Sequence, residues 1–179
     1  MSQSPDPINP LASWGHANTD IATGGLSRTR KASADECLEL AQTLGIPSVA
    51  SLETSYRVAG LSGGGYKLSG DVKADVVQAC VVTLEPVPAL VADRFNVEFW
   101  SDIANRDQKG DQSVLEGADV EPLILGYIDV GRVVFETLSG GLNPYPRKQG
   151  AEFGWQDPAL EKPELQGPFA ALAKLKPGD

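Results

Sequence analysis

A chain of 179 residues, 41% apolar and 22% charged, fits one domain with a real core. No apolar run approaches the roughly 20 residues that a membrane-spanning helix needs, and "MSQSPDPINPLASW" lacks the basic start and apolar stretch of a signal peptide, so the cytoplasm is the expected compartment. A formal net charge of −9 argues against a broad grip on free nucleic acid, whose affinity rests on neutralised phosphates and released counterions.

Residues 1–19 carry Pro, Ser and Asn without periodicity and read as an irregular lead-in. "DIATGGLSRTRK" (20–31) reads as extended chain. "SADECLELAQTLG" (33–45) is expected to be a helix. Ser33 caps it, Glu36 closes a capping box, and Ala34, Cys37, Leu38, Ala41 and Leu44 form the apolar stripe. Gly45 ends it in the left-handed conformation, and Pro47 prevents its return.

A β region follows. Leu52, Thr54, Tyr56 and Val58 alternate with Glu53, Ser55 and Arg57. After the turn "LSGGG", Tyr66, Leu68, Val72, Ala74 and Val76 alternate with Lys67, Asp71, Lys73 and Asp75. This pattern predicts an antiparallel hairpin with one wet face. The run through Val82 is continuously apolar and predicts a strand end covered on both sides. A further strand spans about 88–100. Residues 101–119 read as a polar loop. Residues 122–139 carry helical spacing, weakened by Gly126 and Gly131, and "NPYPRK" (143–148) is a rigid turn. The tail 156–179 is Pro-rich, with "PFAALAKLK" as a short terminal helix. The fold class is therefore α+β: an antiparallel meander with helices 33–45 and 122–139 packed on it. One domain spans 20–155.

The chemistry offered by the residues is sparse. His16 is the single histidine, so a metal site would have to recruit it with Cys37 and Cys80 from three separate elements. No metal or other cofactor is expected. Cys37 and Cys80, without an export signal, read as thiols rather than a disulfide. Cys80 in "VVQACVV" is expected to be buried, which raises a thiol's pKa and makes it a poor nucleophile. Thr83 stands where a C-x-x-C pair would close. "GLSGGG" lacks the strand–turn–helix setting of a serine nucleophile, and "LSGGGYKLSG" lacks phosphate-loop spacing. Asp35/Glu36 and Asp119/Glu121 suit helix starts. The best binding feature is "NPYPRK": Pro144 and Pro146 fix the chain around Tyr145 and present it with Arg147 and Lys148 at low entropic cost. Tyr and Arg are the residue types enriched at interface hot spots.

"LSGDVKADVVQACVVTLEPVPALVADRFNVEF" (68–99), "YIDVGRVVFETLSGGLNPYPRKQGAEF" (127–153) and, more loosely, "LGIPSVASLE" (44–53) together resemble the YceD family. This bacterial and plastid group is named as a large ribosomal RNA subunit accumulation protein. The likeness is to the alphaproteobacterial branch, where a Q-x-C-V-V-T-L-E-P core and an N/D-P-Y-P-R turn recur, and covers roughly residues 20–155. Other branches carry C-x-R-C in this core. Here Cys80 is kept, while Val82 and Thr83 replace the Arg and the second Cys; Cys80, Thr83 and Pro86 mark the core. The resemblance implies a part in accumulation or processing of large-subunit ribosomal RNA and names no catalytic residue.

The expected function is accordingly a non-catalytic, cytoplasmic factor in large-subunit biogenesis. It would bind a ribosomal protein or a precursor particle through Tyr145, Arg147 and Lys148, with no role for DNA or membrane. The acidic total suits attraction to a basic ribosomal protein. One alternative is a direct RNA binder, which requires Arg28, Arg30, Lys31, Arg147 and Lys148 on one face. Another is a small hydrolase or nuclease, which requires a carboxylate metal cleft or a Cys–His pair.

Overall fold

The computed structural model describes residues 9–101, 119–152 and 154. All but the last few belong to one compact unit, Met1–Gln149; the second unit is Gly150–Asp179. The readings placed on the first eight residues, on nearly all of the 101–119 loop and on the 156–179 tail lie outside the described residues.

The fold is α+β. Two 3-10 turns, Ala12–Trp14 and Asn18–Asp20, flank strand β1 (His16–Ala17). Then come β2 (Leu26–Lys31), α1 (Ala34–Leu44), β3 (Ser48–Gly60), β4 (Tyr66–Ala79), β5 (Pro86–Trp100), β6 (Asp119–Pro122), β7 (Tyr127–Ile128) and α2 (Val130–Gly141). The main sheet has the order β2-β3-β4-β5-β6; its first four strands are an antiparallel meander and β6 joins β5 in parallel. β1 pairs with β7 in a separate two-stranded ribbon.

The alternation in the sequence sorts the two faces as expected. Leu52, Thr54, Tyr56 and Val58 are buried, in register with Leu68, Val72, Ala74 and their neighbours on β4, and Phe95, Val97 and Phe99 continue the same face on β5. Both helices contribute to this core. The other face is a checkerboard of opposite charges. Lys31 meets Glu53 at 3.0 Å, Glu53 stands opposite Lys73, and Asp71 stands opposite Arg94. Such cross-strand pairs fix register more than they stabilise.

Helix α1 starts and stops as read. Ser33 Oγ accepts from Glu36 N, the Glu36 carboxylate accepts from Ser33 N, and Gly45 closes the helix at φ 64°. Its buried side is Cys37, Leu40 and Ala41, so the expected stripe is corrected: Leu38 and Ala34 are exposed. Leu38 follows Cys37 by one residue and so points about 100° away from it around the helix.

The expected helix 122–139 is also corrected. Pro122 completes β6, and Leu123 N still donates to Trp100 O. Leu125 (φ 51°) and Gly126 (φ 71°) then form a tight turn closed by Tyr127 N donating to Ile124 O. Two successive positive φ values make a hairpin-type turn, which a helix cannot contain. α2 starts only where Asp129 accepts from Arg132 N.

The described part of the lead-in, 9–19, is not irregular. Leu11 and Trp14 are fully buried core residues. A Cβ at Gly131 would overlap the Leu11 carbonyl, so this helical glycine marks a close approach of the lead-in to α2. Gly131→Ala should therefore lower stability by about 2 kcal/mol, against the gain Ala gives an ordinary helix site. Urea unfolding measures this, and a neutral or stabilised variant would show that the lead-in does not pack there.

Candidate partner interface

The β4–β5 hairpin projects past its neighbour. The last β3–β4 pair is Ser48 with Val77, whereas β4–β5 pairing continues to Ala79 with Pro86, and Cys80 N donates to Glu85 O at 2.8 Å. That ladder bond leaves Ala79 and Pro86 as a non-hydrogen-bonded pair, so Pro86 and, two residues on, Pro88 turn their nitrogens to the side of β5 that has no strand beside it here among the described residues. There the missing N–H groups prevent another strand from adding.

The "NPYPRK" turn braces this projecting end. Gln78, buried, donates from Nε2 to Asn143 O at 2.9 Å and accepts from Asn143 N at 3.2 Å. Val81 N donates to Pro146 O at 2.9 Å, and Lys148 N donates to Cys80 Sγ at 3.3 Å. Lys148 Nζ closes on Glu85 at 2.8 Å. Asn143 Oδ1 accepts from Tyr145 N at 2.9 Å, fixing the turn internally. The two segments that carry the sequence resemblance thus meet here.

Cys80 is fully covered, yet its ionisation runs opposite to the expectation of a raised pKa. The Lys148 N–H, then the Thr83 hydroxyl and N–H, with a smaller part from the Val82 N–H, outweigh burial and pull the thiol from about 9 down to about 6. Donors aimed at a sulfur favour the thiolate. Thr83, which stands where a C-x-x-C pair would hold a second thiol, accepts from Glu85 N at 3.4 Å through its hydroxyl oxygen. Lys148 and then Thr83 hold the Glu85 carboxyl below its usual range. Cys37 behaves as a buried thiol: desolvation and then Glu36 push it up.

The sequence-singled residues take different places in this arrangement. Lys148 is a brace, occupied by Cys80 through its backbone and by Glu85 through its ammonium. Tyr145 is 74% exposed, and Arg147 is exposed with no hydrogen bond or ion pair among the described residues. Pro86 lies exposed at the start of β5, away from the stretch that pairs with β6. Two residues that the sequence reading passed over join the surface: Val81 at 47% and Leu84 at 79% exposure. The apolar run had suggested a strand covered on both sides. It ends at the turn, so Val81 faces out.

The other basic residues lie elsewhere. Arg28 and Arg30 share the face of Tyr56 and Thr54 on edge strand β2, whereas Lys31 points to the opposite face. Arg30 is level with Val72, roughly 25 Å along β4 from Cys80. The five cations do not form one face. His16 pairs with Tyr56 at 2.7 Å on β3, away from both cysteines. Burial, then Arg28 and Arg30, hold its pKa below the ordinary value against the pull of Asp20. Among the described residues no three His, Cys, Asp or Glu side chains are grouped to hold a metal, and no helix is long and apolar enough to cross a membrane.

No protein-family model, no curated protein and no solved structure matches the chain.

Proposed function

We propose that the protein is a non-catalytic cytoplasmic factor in large ribosomal subunit biogenesis. It would support accumulation or processing of large-subunit ribosomal RNA by binding a ribosomal protein or a precursor particle. The observation that carries the binding part is the braced hairpin end, which presents Tyr145 and Arg147 on a fixed backbone. A presenter fixed in advance gives up little entropy on association. The ribosomal part rests on the resemblance of residues 68–99 and 127–153 to the YceD family, the two stretches joined at this end. The net charge of −9 favours encounter with a basic ribosomal protein.

Affinity recovery from cells at low and moderate salt tests this. Wild type should recover large-subunit proteins or precursors. Tyr145→Ala with Arg147→Ala should reduce recovery at least tenfold, the scale of a hot-spot pair. Recovery of no ribosomal component by wild type would defeat the ribosomal reading. Unchanged recovery by the double variant would move the contact away from this turn. The direct RNA-binding alternative predicts instead binding to protein-free ribosomal RNA that falls steeply with salt.

A further inference from the structure

We infer that the β4–β5 turn is a protein-docking knob whose anchor is Leu84, received by an apolar pocket of a folded protein that offers a carboxylate to Arg147 at the pocket's rim. The inference rests on the binding role proposed above and adds the residue and the class of partner.

Leu84 holds φ at 61°, a conformation that a β-carbon makes costly and that glycine or asparagine ordinarily fills. It also leaves 79% of its surface in water. Its N–H donates to Cys80 O at 2.9 Å, which any residue would do as well. The folded chain thus uses the backbone of Leu84 and makes little use of its side chain. Leu125 shares this strain and exposure, so what singles out Leu84 is its place on a turn braced by the "NPYPRK" segment, and that placement points to a function outside the chain.

The surroundings select the class of partner. Val81 and Tyr145 are displayed on the adjoining segments, tied together by the Val81–Pro146 bond. Glu85 and Lys148 neutralise each other at 2.8 Å, leaving Arg147 as the uncommitted cation of this end among the described residues. A phosphate backbone calls for several cations, because its affinity grows with each counterion released. Three exposed apolar or aromatic side chains and one uncommitted arginine on two joined segments instead match the centre of a protein interface, where aromatic and arginine anchors fill desolvated pockets. The single guanidinium is complementary to one carboxylate.

Among the described residues Leu125 is the other non-glycine at positive φ, at 51°, and it is fully exposed. It precedes α2, and the "NPYPRK" turn follows α2, so the roughly 18 Å length of that helix separates the two. Leu125→Asn is therefore the control: it relieves the same strain away from the knob.

The test uses the full chain, purified large ribosomal subunits and precursor particles, and protein-free large-subunit RNA. Leu84→Asn and Leu125→Asn should both melt at or above the wild-type temperature. Leu84→Asn should bind particles at least tenfold more weakly, Leu125→Asn as wild type does, and the free RNA should bind far less than the particles. Equal particle binding by wild type and Leu84→Asn would overturn the inference, as would equal weakening by Leu125→Asn, or free RNA binding as tight as particle binding. If wild type binds no particle, the ribosomal reading fails and a second arm decides the knob: photo-crosslinking in cells from Leu84→p-benzoylphenylalanine. An identified protein that, once purified, binds wild type and loses tenfold with Leu84→Asn upholds the inference. A crosslink to RNA, no crosslink, or a protein indifferent to Leu84→Asn overturns it.

Discussion

Replacing Trp14 by Ala should cost about 3–5 kcal/mol and lower the melting temperature by roughly 10 °C. Trp14 sits in the short lead-in, yet it is fully buried and joins three elements. Its Nε1 donates to Glu36 Oε1 at 2.8 Å, and the Arg30 guanidinium lies 5.0 Å from the ring centroid. The other Glu36 oxygen accepts from Ser33 N and completes the cap of α1. Burial pushes the Glu36 carboxyl up, but the Ser33 N–H and the Trp14 N–H together hold it below its usual range. The indole therefore fills the core and secures the start of α1. Trp14→Phe separates the two roles: it keeps most of the volume and loses the N–H, and should cost only about 1 kcal/mol. Chemical unfolding of the three proteins measures both. A loss under about 1 kcal/mol for Trp14→Ala would mean that the lead-in is not part of the core.

What was readable in the sequence follows the kind of signal each element carries. α1 and the hairpins are encoded locally. Ser33, Glu36 and Gly45 place the helix ends, and strict alternation over 52–58 and 66–76 places the strand faces. The lead-in has no period because its role is set by distant partners: Leu11 lies on Gly131, and Trp14 on Glu36 and Arg30. Composition alone makes such a segment look like loose chain. The helix expected over 122–139 forms over Val130–Gly141; its start is displaced because Leu123, Ile124, Tyr127 and Ile128 mimic helical spacing, while Leu125 adopts a positive φ that sequence does not announce. At the candidate interface the prolines of "NPYPRK" signalled rigidity. Its bonds to Gln78, Val81 and Cys80 join positions more than 60 residues apart, which no local pattern records.

Cys80 should titrate near pH 6, roughly a thousandfold stronger as an acid than an ordinary thiol, and stability should follow. The unfolded chain binds this proton up to about pH 9, the folded chain only up to about pH 6. Between those limits the unfolded state holds more protons, so stability rises with pH. The contribution is complete above about pH 9 and is lost as pH falls through about 6. His16, whose pKa is lowered by burial, Arg28 and Arg30, adds a slope of the same sign below its ordinary value of 6.5. Melting temperatures from pH 5 to 9 are therefore compared between wild type and Cys80→Ser, which share His16; the difference isolates Cys80. Thiolate absorbance gives a second reading, with a step near pH 6 that Cys80→Ser removes and Cys37→Ser leaves in place. Superimposable stability profiles, with no absorbance step near pH 6, would show that the N–H and hydroxyl donors do not converge on the sulfur. Because one of those donors is the Lys148 N–H, a positive result ties the charge on Cys80 to the hold on the "NPYPRK" turn. Tyr145 and Arg147 should then be presented most firmly above pH 6, where the sulfur is ionised.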